Sequence, residues 1–264
     1  MVLKEPGKRM DISEARASER ERERINDLVQ LVPDGTRSAL DVGARDGFLS
    51  IALASRVEHI CALDLIAPEV AHPQVSVVTG NAAKLGFADE SFDAVVCAEV
   101  LEHIASPMLE QACSEMVRVS RYALLIGVPF WQDTRFGRLT CNTCGQHNPP
   151  WGHVNTFDEQ RLQQLFPDLR MASVSFIGRN RDRTNFVSAA LNDWAGNPWG
   201  PYWQEESCVA CGARMVPRTN RRWVGRAASK AAYALNQLQR SLVAPKPTWI
   251  HVLFRKRNAP PRNL

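Results

Sequence analysis

Residues 38–50 read SALDVGARDGFLS, in which an apolar strand pattern leads through a turn with two glycines into an apolar helix pattern. Gly43 and Gly47 lack a Cβ, so the chain can bend sharply there and bring its N–H groups against a ligand. The N-terminus of the following helix adds the positive end of a dipole. A second strand pattern, HICALD over residues 59–64, ends in an acid that can accept hydrogen bonds from both ribose hydroxyls. The segment therefore predicts a nucleoside site beside an open parallel sheet.

Three interpretations of this glycine turn compete. Dinucleotide sites also combine a glycine turn with an acid roughly 20 residues later. The spacing here is Asp-x-Gly-x-x-x-Gly, whereas dinucleotide sites have Gly-x-Gly-x-x-Gly. A glycine turn can also be a plain tight connection between a strand and a helix, with no ligand. The strands that follow shift the balance towards a nucleoside site of a different kind.

Two more strand patterns follow, VSVVT over residues 75–79 and FDAVVCA over residues 92–98. The first leads into GNAA at residues 80–83, and the second leads into EVLEH at residues 99–103. These motifs, in this order and at these separations, resemble the class I S-adenosylmethionine-dependent methyltransferases of the type 11-like subgroup, over about residues 36–130. The resemblance implies an α/β fold, with a seven-stranded Rossmann-like sheet and helices on both faces. It also implies S-adenosylmethionine as the cofactor.

The resemblance further implies a cofactor site at the carboxyl ends of the first four strands. The residues that it assigns to the methionine end of the cofactor are Asp41, Gly43, Ala44, Asp46 and Gly47. The residues that it assigns to the ribose and adenine are Asp64, Leu65, Asn81 and Ala82. Glu99 would lie beside the cofactor and face the acceptor cavity.

Two positions depart from the family pattern. Arg45 stands where a middle glycine is usual, and Asn81 stands where an aspartate is commoner. Arg45 fits the turn if its side chain points to solvent, and Asn81 still offers an amide to the adenine edge. Neither substitution removes a group that the site requires.

Glu99 and His103 are the candidate catalytic residues, because they are nearest to the expected acceptor. Methyl transfer is an in-line displacement, so positioning of the nucleophile contributes most and a base is needed only for weakly acidic groups. Glu99, Glu102 and His103 also resemble a divalent-metal set of some O-methyltransferases, which His153 would complete. The same letters occur in members of the subgroup without metal, where they cap the strand and the helix. Both roles stay open.

Two Cys-x-x-Cys-Gly knuckles form the second distinctive feature, Cys141 with Cys144 and Cys208 with Cys211. Thiolates at this spacing are typical of a tetrahedral Zn²⁺ site, in which glycine lets N–H groups turn towards sulfur. They predict a structural zinc that staples an insertion between the last two strands. The alternatives are a redox dithiol, unrelated free thiols, and substitution of one cysteine by His147 or His153. Four cysteines would close the coordination shell, so no catalytic zinc is expected.

The remaining patterns divide the chain into four parts. Residues 1–35 form an N-terminal helical segment, in which residues 11–32 read as a helix whose charges pair on a solvated surface. Residues 36–178 form the methyltransferase core, residues 179–247 an insertion with one knuckle and a basic helix, and residues 248–264 the final strand and a basic tail. Six of the seven tryptophans fall in the middle of the chain, between residues 131 and 223. They either pack the metal-stapled lobe or wall a substrate pocket.

Charge is unevenly divided along the chain, whose formal net charge is +4. Residues 207–264 hold 12 Lys and Arg and no Asp or Glu. Within them, residues 221–243 read as a basic amphipathic helix, whose surface would attract phosphates or anionic lipid headgroups. Alternatively, its cationic face is merely solvated and its apolar stripe packs on the domain.

At 264 residues with 45% hydrophobic content, the chain can bury one substantial α/β core and an appendage. It has no apolar run of about 18 residues and no signal-peptide pattern, and its cysteine usage favours a reducing compartment, so a cytoplasmic protein is expected. The overall interpretation is a methyltransferase for a small or lipid-linked, anionic acceptor, such as a sugar or cell-envelope intermediate, with peripheral contact to an anionic membrane. The alternatives are an RNA methyltransferase that uses the basic tail, and a non-catalytic cofactor-binding or scaffolding protein.

Overall fold

The computed structural model describes residues 16–195, 207–215 and 223–256. Parts of several predictions lie outside these ranges: the start of the N-terminal helix, Trp199 and Trp203, the first two residues of the basic helix, and the tail after residue 256. No helix within the described ranges combines the length and the apolar character that crossing a membrane requires.

A seven-stranded mixed sheet forms the centre of the fold. Numbered along the chain, the strands are β1 (Ser38–Val42), β2 (His59–Asp64), β3 (Val75–Thr79), β4 (Phe92–Ala98), β5 (Ser120–Pro129), β6 (Leu139–Thr140), β7 (His147–Asn148), β8 (Leu169–Ile177) and β9 (Trp249–Lys256). β6 and β7 pair separately, and the others are ordered β3-β2-β1-β4-β5-β9-β8. β9 is antiparallel to both of its neighbours, whereas the other neighbouring pairs are parallel. The predicted seven-stranded sheet is confirmed.

Helices cover both faces of this sheet, as predicted. They are α1 (Glu19–Leu31), α2 (Phe48–Leu53), α3 (Met108–Val119), α4 (Glu159–Leu165), α5 (Phe186–Trp194) and α6 (Trp223–Leu242). α1 and α2 bury Leu28 and Leu53 against one face. α3 and α4 bury Met116 and Leu162 against the other. Because both faces are covered, β4 is apolar at consecutive positions and does not alternate.

The predicted N-terminal helix is interrupted at Ser18. The Oγ of Ser18 accepts a hydrogen bond from the N–H of Glu21 and so caps α1, which begins at the next residue. Further along α1, the carboxylate of Asp27 lies 2.6 Å from Nδ1 of His251 in β9. α1 is therefore attached to the sheet by a buried polar contact as well as by its apolar face.

The connection from β8 to β9, which the sequence indicated as an insertion, contains two helices that pack together. The basic helix predicted over residues 221–243 corresponds to α6. The sequence patterns missed α5, although its start carries a recognisable signal. Asn185 and Ser188 form a capping box there, each side chain bonding the other residue's backbone N–H.

The cysteine lobe, which we define as residues 139–148 and 207–215, has a very small core. Its buried apolar residues are Leu139, Cys141, Cys208 and Met215. The described tryptophans of this region are instead largely exposed: Trp131, Trp151, Trp194 and Trp223. The interpretation in which tryptophans pack the lobe is therefore wrong for these four residues.

Candidate functional site

The turn after β1 fits only glycine at two positions. Gly43 and Gly47 have φ angles of 79° and 74°, in the left-handed region. A Cβ on Gly43 would lie 2.2 Å from Cγ2 of Val100, and a Cβ on Gly47 would lie 1.8 Å from Cγ2 of Val70. Arg45 also has a positive φ, 51°, where the family pattern has glycine, and its side chain is exposed as predicted. The turn therefore needs its glycines for both conformation and space.

Backbone hydrogen bonds tie this turn to the end of β2. The N–H groups of Gly43 and Ala44 donate to the carbonyl of Leu63 at 2.7 and 3.0 Å. The N–H of Arg45 donates to Oδ2 of Asp64 at 2.7 Å. The expectation that the turn presents these N–H groups to a ligand is therefore wrong for this structure. The turn instead fixes the carboxylate of Asp64 at the carboxyl edge of the sheet.

The residues predicted to meet the ribose and adenine lie together at this edge. Leu65, next to Asp64, is 69% exposed. Asn81 follows the neighbouring strand β3, and its Oδ1 accepts a hydrogen bond from the N–H of Ala83 at 2.9 Å, which fixes the turn that carries Ala82. An exposed apolar side chain beside a carboxylate and an amide offers the mixed surface that small-ligand sites use.

The two remaining acids of the turn have protein partners. Asp41 is buried, and its Oδ2 accepts a hydrogen bond from Ser50 at 2.5 Å; burial nevertheless raises the pKa of Asp41 to about 6. Asp46 accepts two hydrogen bonds from the guanidinium of Arg16, at 3.0 and 2.8 Å. Burial favours a higher pKa for Asp46, but Arg16 outweighs it and holds the pKa below its usual value. Asp46 therefore joins the N-terminal segment to the turn.

Replacing Asp41 with asparagine is expected to stabilise the ligand-free protein at neutral pH. The pKa of Asp41 is about 6 in the folded state, against an ordinary value of 3.8, so ionising this carboxyl disfavours folding. As the pH rises from about 4 to 7, ionisation of Asp41 should lower the free energy of unfolding of the wild-type protein by at most about 3 kcal/mol. Asp41→Asn should not show this decrease. Urea unfolding of both proteins across this pH range measures the difference; identical pH dependence would contradict it.

A group of acids follows the carboxyl end of β4. Both carboxylate oxygens of Glu102, and Oε1 of Glu99, are buried with no hydrogen-bond partner among the described residues. Burial raises the pKa of Glu99, and burial together with the charge of Glu99 raises the pKa of Glu102 well above its usual value. Unpaired buried carboxylates are costly. The two groups therefore either retain protons at neutral pH or neutralise a cation.

Two histidines lie beside these acids. The rings of His103 and His153 are nearly perpendicular, with centroids 4.6 Å apart, and Nδ1 of His153 lies 2.6 Å from Oε1 of Gln132. Burial lowers the pKa of His103; burial and His103 together lower the pKa of His153 to about 3. Neutral imidazoles can accept a proton or bind a metal. One ligand atom each from Glu102, His103 and His153 lies within 4.8 Å of the others.

The sequence patterns missed Arg24, which they assigned to a solvated helix surface. Arg24 is buried, and its Nε and Nη2 donate to Glu21 at 2.9 and 2.8 Å. Its Nη1 has no hydrogen-bond partner in the described part of the chain, and its guanidinium lies 5.7 Å from the centre of a Trp249 ring. Its charge also lowers the pKa of Glu99 against the effect of burial. Its position four residues before the buried Leu28 was the available signal.

The four knuckle cysteines meet in space. The Sγ atoms of Cys141 and Cys211 are 3.8 Å apart, and those of Cys144 and Cys208 are 3.6 Å apart. All four sulfurs lie within 4.8 Å of one another, and none forms a disulfide. Tetrahedral Zn–S bonds of about 2.3 Å would separate the sulfurs by about 3.8 Å. The spacing of the thiols therefore fits a zinc ion.

The knuckle backbones favour the thiolate at the first cysteine of each knuckle, whereas neighbouring thiols and burial raise the pKa of Cys144 to about 12. N–H groups at residues 144 and 143 lower the pKa of Cys141. Burial tends to raise the pKa of Cys208, but N–H groups of its own knuckle outweigh that effect and lower the pKa to about 6. His147 and His153 do not belong to the cysteine group. The alternative in which a histidine replaces one cysteine ligand is therefore wrong.

Sequence comparison relates the core of the chain to known proteins. Residues 40–122 match the family described as a methyltransferase domain. Curated relatives from two strains of Mycobacterium tuberculosis and from Mycobacterium bovis are each called an uncharacterized methyltransferase. Each is 35% identical over 89 residues, which cover 29% of this chain and 43% of the relative. The match therefore spans less than half the length of these relatives.

Solved structures share the fold over most of the chain. A candidate methyltransferase from Bacillus halodurans has a TM-score of 0.56 at 16% identity, covering 88% of this chain and 98% of that chain. The N-methyltransferase NodS from Bradyrhizobium japonicum has a TM-score of 0.51 at 14% identity, covering 91% and 98%. The [4+2]-cyclase SpnF has a TM-score of 0.51 at 18% identity, covering 89% and 80%. At these identities the likeness establishes the fold alone.

Proposed function

We propose that this protein is a class I S-adenosylmethionine-dependent methyltransferase. The observation that carries the proposal is the methyltransferase-domain match over residues 40–122, together with the carboxylate of Asp64 that the glycine turn fixes at the carboxyl edge of β2. Open α/β sheets bind ligands at this edge, where the strand order reverses. Here the order reverses between β1 and β4. Leu65 and Asn81 lie at the same edge and would meet the adenine.

Calorimetric titration of the purified chain with S-adenosylmethionine and with its demethylated product tests this proposal. We expect both to bind, with Kd values on the order of micromolar, about −8 kcal/mol. Binding of neither ligand to the folded protein would contradict the proposal. Binding of a nicotinamide dinucleotide in their place would restore the dinucleotide interpretation of the turn.

We propose an anionic acceptor that is small or lipid-linked, such as a sugar or cell-envelope intermediate. Arg24 supports an anionic group, because its guanidinium is buried beside Glu99 and one of its nitrogens lacks a protein partner in the described part of the chain. Trp151 supports a sugar or ring, because its exposed side chain lies 5.8 Å from the ring centre of His153. Aromatic faces of this kind stack on apolar ligand surfaces.

In the proposed reaction, the protein chiefly positions the acceptor for in-line attack on the cofactor's methyl group. His103 would take the proton from the acceptor nucleophile, because its side chain is accessible and partial desolvation together with the charge of Arg45 lowers its pKa, which keeps the imidazole neutral. Glu99 would orient the acceptor through its unpaired oxygen. The four cysteines would hold zinc as a structural ion, and we place the protein in the cytoplasm, where thiols stay reduced.

The unpaired oxygens of Glu102 favour a second candidate feature of this site, a divalent cation held by Glu102, His103 and His153. Two imidazoles with one carboxylate suit zinc, manganese or iron better than magnesium. Such a cation would increase the acidity of an acceptor hydroxyl.

Manganese binding, followed by electron paramagnetic resonance, tests this feature without requiring an acceptor. Glu102→Gln is expected to weaken manganese binding by about tenfold or more, because the carboxylate provides the only charged ligand of the three. Glu110→Gln, on the exposed side of α3, is the matched control and should bind as the wild type. If the wild-type protein binds no manganese, the cation is excluded, and the other explanation holds, in which Glu99 and Glu102 retain protons.

Two alternative functions remain: one has RNA as the methyl acceptor, and the other has no methyl acceptor. An RNA methyltransferase would use the cations after residue 207. A non-catalytic or differently catalytic protein on this fold has a precedent in the cyclase SpnF. Incubating the protein with labelled cofactor and lipid, sugar or RNA extracts separates them: the label would enter lipid or sugar under our proposal, RNA under the first alternative, and nothing under the second.

A further inference from the structure

Helix α6 packs against the rest of the insertion through a face that differs from its apolar stripe. Ser229 and Ala232 are its buried residues. Gln239, on the same face, accepts a hydrogen bond at its Oε1 from Nδ2 of Asn185, at the start of α5, at 3.0 Å. Residues at this helical spacing share one face. The packed face of α6 is therefore built from small and polar side chains.

The apolar stripe of α6 is exposed in the described structure. Leu238 and Leu242 are 60% and 77% exposed, and Val224 is exposed as well. Ala227 and Ala231, which lie between them on the stripe, are also exposed. The stripe lies roughly a third of a turn from the packed face. Ala228 and Leu235, which also belong to the stripe, are half-buried. The interpretation in which this stripe packs on the domain is thus wrong for its exposed members.

Cations lie on the side of the exposed stripe that is away from the packed face. Arg226 and Lys230 are exposed, and α6 contains no Asp or Glu. Among the described ion pairs, the one that involves this helix joins Arg240 to Asp182 at 3.8 Å. Two aromatic side chains of the neighbouring helix α5, Phe186 and Trp194, are exposed as well. An apolar stripe next to a cationic face, on a helix free of acids, is the arrangement with which a helix lies on an anionic bilayer.

We propose that α6 docks this protein onto the surface of an anionic lipid bilayer. Leu238 and Leu242 would enter the headgroup region, while Arg226 and Lys230 would bind lipid phosphates. A nucleic acid would use the cations but would gain nothing from the exposed leucines. A second copy of the chain would bring two acid-free cationic helices together, and their like charges would repel.

The docking helix ends beside the rim of the candidate site. Shortly after α6, Nζ of Lys246 bonds to the backbone carbonyl of Trp131. Trp131 follows the carboxyl end of β5 and is 60% exposed, and the next residue, Gln132, contacts His153. Docking would therefore hold the rim near the bilayer, within reach of a lipid-linked acceptor. The docking surface does not depend on methyl transfer, so either proposal can fail without the other.

Cosedimentation of the full chain with vesicles tests the proposal. One set contains equal parts of phosphatidylglycerol and phosphatidylcholine, and the other contains phosphatidylcholine alone. We expect binding to the anionic vesicles that weakens as salt is added. Leu238→Gln with Leu242→Gln, and separately Arg226→Gln with Lys230→Gln, should each lower the partition coefficient by about tenfold or more. Circular dichroism should show that both double variants remain folded, because the replaced side chains are exposed.

Matched double variants elsewhere control for lost apolar surface and lost charge. Ile51→Gln with Met108→Gln, and Arg37→Gln with Arg170→Gln, should bind vesicles as the wild type does. The proposal is overturned if the protein does not bind anionic vesicles or binds both vesicle types equally. It is also overturned if the control variants lose as much vesicle binding as the α6 variants do. It is also overturned if velocity sedimentation shows a dimer that dissociates in the variant Leu238→Gln with Leu242→Gln. Binding of RNA but of neither vesicle type, weakened by Arg226→Gln with Lys230→Gln, would overturn it as well.

Discussion

Removing zinc with a chelator, or replacing Cys208 with serine, is expected to unfold the cysteine lobe while the seven-stranded sheet stays folded. The lobe buries only four apolar residues, two of which are the proposed ligands Cys141 and Cys208. So small a core cannot hold its two chain segments together without a staple. Metal binding free energy therefore becomes folding free energy for this lobe. The purified wild-type protein should carry about one equivalent of zinc.

Elemental analysis and hydrogen exchange measure this effect together. Amides of residues 139–148 and 207–215 should lose protection in metal-free protein and in Cys208→Ser, whereas amides of β1 and β4 should keep theirs. Cys61→Ser is the matched control, because Cys61 is buried in β2 and lies outside the cysteine group. It should retain zinc and a protected lobe. A wild-type lobe that stays equally protected with and without metal would refute the zinc assignment.

Replacing Asp64 with alanine is expected to weaken binding of S-adenosylmethionine by at least about tenfold, or ~1.5 kcal/mol, because two ribose hydroxyls would lose a charged acceptor. The loss should extend beyond the direct contact. The carboxylate of Asp64 also accepts the N–H of Arg45 at 2.7 Å, so the variant frees the turn at the methionine end. Calorimetry with the cofactor and its demethylated product should show a similar weakening for both, since they share the ribose.

Asp34→Ala serves as the control for loss of a carboxylate, because Asp34 is exposed and pairs with Arg56 away from the turn. It should leave cofactor affinity unchanged. Asp64→Asn should fall between wild type and Asp64→Ala, since an amide oxygen can accept one hydroxyl but carries no charge. Unchanged affinity in Asp64→Ala would move the cofactor away from this edge of the sheet.

The predictions for the core sheet succeeded where local pattern and burial agree. β1, β2 and β4 are short apolar runs with an Asp or Glu at their carboxyl ends or one residue away. Both of their faces are covered, so the pattern needs no information about partners. Residue type likewise predicted the sharp bend at Gly43 and Gly47, where both φ angles are positive. The helix α5 was missed because it is only nine residues long and carries a single charged residue, although its capping box was legible in the sequence.

The predictions for side-chain environment succeeded less often, because they depend on which element covers which. Arg24 resembles its solvated neighbours in a run of alternating charges, yet it is buried against Trp249, which is far away in sequence. The stripe of α6 resembles a buried face, yet a face of small residues packs and leaves the stripe exposed. The same was true of the exposed tryptophans, whose hydrophobicity favoured the interior.

The sequence by itself determined the sheet, the glycine turn with Asp64 at its edge, and the two cysteine knuckles as a candidate ligand set, because each of these rests on residue chemistry at short spacing. Only the tertiary structure decided that the two cysteine pairs meet, that His153 joins Glu102 and His103, and that Arg24 lies beside Glu99. Those groups come from segments that are distant along the chain. Their contacts are set by how helices and loops pack on the sheet, which local spacing does not encode.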